Sequence, residues 1–303
     1  MMFGHISGIM FQCAFILIFQ ISVVCANEPY LEQKQSDLTL IYPESLQHIL
    51  PDIVDAFHRA KHNLHNIFSW PISNHIHLVI IKTRGEFLQV AEHPLTVAFA
   101  EPSRRLITIN YQTVTVTPFS LETTLQHELC HILLGEHLTM RIPRWLNEGI
   151  AQWASEGITE IIRPEKNLLQ RAALSGTIIP LYRLDISFPM ESNAFVLAYE
   201  QSQSFVVYLI QQYSQHSLLQ MLELLKNGQS LHTAIRRIYG KSLHQLENEW
   251  ISSQTHFFAW IIFVINNLYT FLFMGLALIS IYGFIRMKRK KWQYPDDWEE
   301  DML

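Results

Sequence analysis

Charge is missing from two parts of this chain. Residues 1–26 and 257–285 contain no aspartate, glutamate, lysine or arginine. The 303 residues carry 22 basic and 27 acidic side chains. Five of each sign lie in 286–303, so residues 27–256 hold 17 basic and 22 acidic groups, a net charge of −5. That mild acidity excludes an electrostatic footprint for nucleic acid and argues against a basic membrane-surface module. Cysteine is nearly absent as well. Cys13 and Cys25 fall in the first uncharged stretch, which leaves Cys130 for the remainder. There is no disulfide framework, so the fold must hold by its apolar core. No internal repeat or low-complexity block interrupts 27–256.

The uncharged stretches themselves are informative. Ile6 to Val24 is apolar and ends in Val24-Cys25-Ala26, with small residues placed for cleavage before Asn27. This reads as a secretory signal peptide over 1–26, or as an uncleaved anchor, since the usual basic residues before the apolar run are lacking. Phe257 to Ile285 is 29 residues long, interrupted by Asn266 and Asn267. About 20 apolar residues cross a bilayer core, so one transmembrane helix is expected over 257–285. The cluster Arg286-Met287-Lys288-Arg289-Lys290-Lys291 follows directly. Such a cluster stays cytoplasmic, which makes 286–303 a cytoplasmic tail and puts 27–256 on the periplasmic or extracellular side of the cell membrane. The chain is then a single-pass membrane protein.

Residues 27–256 divide into a sheet-containing part (27–118) and a helical part (119–256). Ser36 to Tyr42 alternates as a strand, and Pro43 to Phe68 shows helical spacing through Leu46, Leu50, Ile53, Val54, Phe57 and Leu64. Ile76 to Ile81 is an apolar, largely β-branched run typical of a buried strand. Thr96 to Ala100 and Leu106 to Asn110 flank a Glu-Pro-Ser-Arg turn and predict a hairpin. From Ser120 the pattern is helical almost to Gln254, broken by a loop around 178–192. The expected class is α+β: a small N-terminal mixed sheet with helices, then a mostly helical half.

The chemistry is concentrated in that half. His58, His62 and His65 fall at helical spacing but lack a carboxylate or cysteine partner in the pattern, so they read as a solvated face. His127-Glu128-Leu129-Cys130-His131 is different. On a helix beginning after Ser120, His127 and His131 stand one turn apart on one face, away from Leu121, Leu125, Leu129 and Ile132. Glu128 sits about 100° round from His127. Two imidazoles beside a carboxylate base are what a zinc-activated water needs. A second helix follows Pro143, with Leu146, Ile150 and Trp153 on one side and Glu148 and Gln152 on the other. Two such helices can close on one ion, with Glu148 as third ligand and a fourth position open. Zn2+ suits two imidazoles and a carboxylate. Cys130 reads as buried packing rather than as a ligand.

His127-Glu128-x-x-His131 followed by Asn147-Glu148-Gly149-x-Ala151 resembles the gluzincin zinc metallopeptidases, particularly their compact peptidase MA-like domains. The resemblance covers most of 38–250, and its specific matches lie in 124–153. It implies hydrolysis of a peptide or protein substrate, with Glu128 as general base and His127, His131 and Glu148 as metal ligands. Ala198-Tyr199-Glu200-Gln201-Ser202 resembles the helix whose tyrosine donates to the oxyanion in related aminopeptidases. Tyr199 also fits a core aromatic at helical spacing with Phe195 and Phe205. Gln152 stands where these domains often carry an acid that orients a ligand histidine. The Gly-x-Met-Glu-Asn segment of the aminopeptidases is only echoed, by Met190-Glu191-Ser192-Asn193 on the wrong side of His127, so an amine anchor is not expected. By the same resemblance, the strand at Leu106 to Asn110 is expected to pair with an extended substrate along its edge. Two other readings stay open: a non-catalytic zinc-binding or protein-binding module on this fold, and an assembly protein whose acidic, aromatic tail from Trp292 to Leu303 meets a cytoplasmic partner.

Overall fold

A computed structural model describes residues 28–72, 74–157, 161–163 and 167–293. Residues 1–26, on which the expected signal peptide falls, and residues 294–303 of the expected tail lie outside the described residues. The chain forms two compact units, one ending at Trp250 and one beginning at Ile251.

The first unit is α+β, as the sequence predicts. Five strands, β1 (Tyr30–Lys34), β2 (Leu38–Pro43), β3 (Ile76–Ile81), β4 (Ala98–Glu101) and β5 (Leu106–Asn110), form one sheet in the order β1-β2-β3-β5-β4. β2, β3 and β5 run parallel, while β1 and β4 pair antiparallel at the two edges. Every residue of β2 and β5 is buried. Apolar runs without alternation are the signature of strands covered on both faces. Ile41, Val79, Ile81, Leu106 and Phe87 form one core cluster of this layer.

Two strand expectations change. β1 occupies a segment with no clear strand signal: its burial pattern is mostly exposed, so little apolar alternation marks it. The hairpin forms, but Leu106–Asn110 is an inner strand, paired on one side with β3 and on the other with β4. The chain enters the hairpin on its outer strand and returns inside it. Ala98–Glu101 is therefore the free edge, and β5 has no edge to offer a substrate.

Helix α1 (Leu50–Phe68) connects β2 to β3, preceded by a 3-10 turn over Glu44–Ile49. It packs against α2 (Leu121–His137), which also touches β4 and α3 (Arg144–Ala154). Helices α4 (Leu168–Ser175), α5 (Ser192–Tyr213), α6 (Gln215–Lys226) and α7 (Leu231–Tyr239) complete the layer. α2 is the central element: every residue from Thr124 to Leu134 is buried, polar ones included. The single apolar stripe expected of it is thus replaced by burial all round, because α1, α3 and β4 surround it.

Gly149 sets how closely α3 approaches α5. A Cβ there would lie 2.4 Å from the carbonyl oxygen of Ser202 and 2.7 Å from Val206 Cγ2. Only glycine allows that contact. The loop between α4 and α5 is held by side chains standing in for backbone partners. Gln201 accepts from Ile179 N and donates to its carbonyl, and Glu247 accepts from Leu181 N at 2.7 Å. Further along the loop, Asp185 takes the indole N–H of buried Trp145 at 3.1 Å, and its carbonyl takes Arg144 N at 2.8 Å.

From Leu243 the chain is helical to Gln293, in α8 (Leu243–Asn266) and α9 (Leu268–Gln293), with Asn267 between them. Adjacent asparagines compete with a helix for backbone partners, so a break at this point is natural. Within α9, Leu268–Arg289 is long and apolar enough to cross a membrane, with mean hydropathy 2.0 and none of its apolar window buried. The apolar run read as one helix over 257–285 is thus shared between two.

Candidate metal centre

α2 and α3 bring His127, His131 and Glu148 together. The Nε2 atoms of the two histidines lie 3.0 Å apart, and Glu148 Oε2 lies 3.5 Å from each. Bonds of 2.0–2.1 Å to a tetrahedral zinc place neighbouring donor atoms about 3.3 Å apart. The triangle of donors fits that ion. The chemistry of the set, two imidazoles and a carboxylate, agrees with it. Among the described residues this is the group of histidine, cysteine and acid side chains spaced to hold a metal. His58, His62 and His65 are exposed and gather no such set. Cys130 is fully buried outside the triangle, and burial pushes its thiol well above the usual range.

The imidazole of His131 is oriented by a residue that sequence reading left without a role. Asn147 Oδ1 lies 3.1 Å from His131 Nδ1. An amide oxygen only accepts, so Nδ1 carries the proton and Nε2 keeps its lone pair for a metal. The residue sits beside Glu148 in the quoted motif, and that adjacency was the available signal. Gln152 behaves differently from its sequence expectation. It is fully buried, and among the described residues neither its amide oxygen nor its nitrogen has a hydrogen-bond partner.

Burial and mutual charge shape the metal-free electrostatics. Burial lowers the pKa of His127 to about 4, with Glu148 opposing. Burial also opposes charge on His131, but Glu148, Glu128 and Asn147 outweigh it and raise that pKa to about 9. The Glu148 carboxyl is held well below the usual carboxylate range, since the two histidines overcome the effect of burial. Glu128 is 1% exposed, and both its oxygens lack a hydrogen-bond partner among the described residues. Burial pushes its pKa up to about 8. It borders the cleft described next.

Glu128, His131 and Glu148 form part of the lining of a cleft of about 990 Å³. β4 supplies one wall from Ala98 to Glu101, and Phe188, Phe195 and Tyr199 supply another. Tyr199 is 4% exposed and packs edge-on against Phe188 at 5.0 Å and beside Phe195 at 5.0 Å. The aromatic neighbours are Phe188 and Phe195, and the ring also borders the cleft. Arg144 joins this tyrosine to the metal centre: it hydrogen-bonds Tyr199, lies 3.6 Å from Glu148 Oε1 through Nε, and stacks over Phe188 at 4.8 Å. His93 pins the two sides of the opening. Its Nδ1 accepts from Leu95 N at 3.1 Å, its Nε2 donates to the Met190 carbonyl at 3.2 Å, and its ring stacks on Phe195 at 3.6 Å. Neither Arg144 nor His93 stood out in the sequence, because Phe188, Met190, Phe195 and Tyr199, which fix their places on the cleft, are distant in the chain. Two upstream acids, Glu92 and Glu101, also line the cleft, the latter engaged by Arg104 at 3.1 Å. The Met190-Glu191-Ser192-Asn193 echo serves the fold instead, with Glu191 capping α5 through Asn193 N and Ala194 N.

With this geometry in place, the family model of the Peptidase MA superfamily matches residues 56–256. The chain belongs to the Peptidase MA superfamily. That match takes in α1 from Ala56 onward, the hairpin, all three residues of the donor triangle and the Tyr199 wall. Similar solved structures include an aminopeptidase A from Legionella pneumophila in complex with aspartic acid, at 14% identity and TM-score 0.42, covering 73% of this chain and 27% of that one. Another is an M1 zinc metallopeptidase E323A mutant from Deinococcus radiodurans, at 16% identity and TM-score 0.42, covering 74% of this chain and 51% of that one. The chain thus corresponds to about a quarter and about half of the lengths of these two proteins. No curated protein matches.

Proposed function

We propose that this member of the superfamily is a zinc-dependent peptidase anchored by a single membrane span. The observation that carries the reading is the donor triangle of His127, His131 and Glu148 with a buried carboxylate, Glu128, beside it on the cleft and without a hydrogen-bond partner among the described residues. A purely structural ion needs the three ligands and has no use for that fourth group. Zinc held there supplies Lewis acidity, which acidifies water and polarises a carbonyl. Glu128 takes the proton from the attacking water on a carboxylate oxygen and passes it to the departing amine nitrogen. The Tyr199 hydroxyl, held by Arg144, donates to the oxyanion that develops on the carbonyl oxygen. Asn147 keeps His131 in the tautomer that binds metal. The edge of β4 is the strand that an extended substrate would pair with, in place of Leu106–Asn110.

An exported location is part of this reading, supported by the uncharged stretch 1–26, the apolar Leu268–Arg289 and the basic cluster 286–291, which such proteins keep on the cytoplasmic side.

The test is metal analysis of the full-length protein and cleavage of an unstructured protein, beside Glu128→Gln. The expected result is one zinc per chain in both, with cleavage reduced about 10²-fold or more in the variant. Zinc in both with no cleavage by either would replace the peptidase with a binding module.

A further inference from the structure

Apolar side chains on the surface of the first unit are unevenly distributed. Its large hydrophobic residues that are exposed, among those described, are Leu88, Val90, Val116, Met140, Leu174, Tyr182, Ile186 and Met190. Four of these eight, Val90, Met140, Ile186 and Met190, line the one cleft that holds the metal centre. They come from three separate segments: the turn after β3, the loop after α2 and the loop before α5. Ile186 is 75% exposed and Met190 68% exposed, so most of their apolar surface stays in contact with water and forgoes the gain of burial. Exposed apolar groups that gather at a cleft mark what binds there.

The charges on the same walls do not compete with this. Arg144 is engaged by Glu148 and Tyr199, and Glu101 by Arg104. Besides the buried Glu128, Glu92 and Arg141 remain, one of each sign, so the exposed rim presents no excess of either sign to an acidic or basic substrate. Deeper in, Phe99, Leu134, Phe188 and Phe195 continue the apolar surface towards Glu128 and Glu148.

Resting on the peptidase reading, we infer that the substrate is an extended, unfolded stretch of polypeptide with large apolar side chains around the scissile bond. Folded proteins bury such side chains, so the preferred targets are proteins that have lost their fold or not yet gained it. The loops bearing Met140, Ile186 and Met190 set this preference by covering those side chains as the chain lies in the cleft.

The experiment uses the full chain in lipid nanodiscs, loaded with zinc, and two internally quenched peptides of equal length. One has leucine and phenylalanine around its central bond, the other serine and glycine. The expected kcat/KM ratio is at least 10-fold in favour of the apolar peptide. Combining Ile186→Glu with Met190→Glu is expected to bring that ratio below 3-fold, whereas Leu174→Glu, exposed away from the cleft, leaves it in place. Binding of the same sequences, fluorescently labelled, to Glu128→Gln gives a second measure that needs no turnover. There the apolar peptide is expected to bind at least 10-fold more tightly. Equal kcat/KM for the two peptides, with Glu128→Gln inactive, overturns the preference and leaves the peptidase standing. No turnover combined with selective apolar binding overturns the peptidase and keeps the apolar ligand. Equal or absent binding to Glu128→Gln overturns the inference.

Discussion

His131 and Asn147 lie on different helices, yet their Nδ1 and Oδ1 atoms are 3.1 Å apart. The bond ties the second imidazole of α2 to α3 one residue before Glu148, so one short motif supplies both a corner of the donor triangle and the group that orients another corner. Asn147→Ala removes the acceptor and frees the ring to rotate. Zinc affinity, measured by competition with a chelator, is expected to fall 10- to 100-fold. Asn147→Asp, which keeps an oxygen acceptor, retains most of it.

Arg144 connects Glu148 to Tyr199 and stacks on Phe188. Arg144→Met keeps the apolar stem but loses the charge and the donors. The expected outcome is kcat lowered by about 10-fold or more with KM little changed, because the tyrosine loses its orientation. Metal content stays at one per chain. Arg144→Lys recovers part of the loss, since a single charge without the planar fork holds only one partner well.

Gly149→Ala tests the approach of α3 to α5. The added methyl meets the Ser202 carbonyl oxygen, a backbone atom that cannot swing aside. The expected loss of stability is about 1–3 kcal/mol or more by urea unfolding. Because the clash separates the helices carrying Glu148 and Tyr199, the surviving folded protein also loses activity.

Stability at acid pH depends partly on Asp37, whose carboxylate meets Lys61 Nζ at 2.6 Å. Partial burial raises its pKa, but the lysine's hydrogen bond and charge prevail and hold it below the ordinary value. A folded pKa below the unfolded one adds stability above the unfolded pKa, about 3.9. That contribution fades as pH falls through the folded pKa. Lys61→Met is therefore expected to cost roughly 0.5 kcal/mol at pH 6, in keeping with a partly exposed pair. The gap from the unaltered protein narrows at pH 3, as urea unfolding at both values would show.

The sequence by itself determined the elements whose signals are local. Ile76–Ile81, Leu106–Asn110, Leu121–His137 and Arg144–Ala154 follow from runs and periods of apolar residues. The donor triangle was legible for the same reason: His127 and His131 are one helical turn apart, and Glu148 lies on the polar side of the next helix, in its second turn. The tertiary structure alone decided which strand is the edge, because strand order depends on how the hairpin returns and no local pattern encodes it. It also decided the burial of α2 on every side, the link from Glu148 through Arg144 to Tyr199, and the gathering of Val90, Met140, Ile186 and Met190 on one opening. These relationships join residues tens of positions apart. They come into being when Gly149 lets α3 close on α5 and buried side chains fill the space between them.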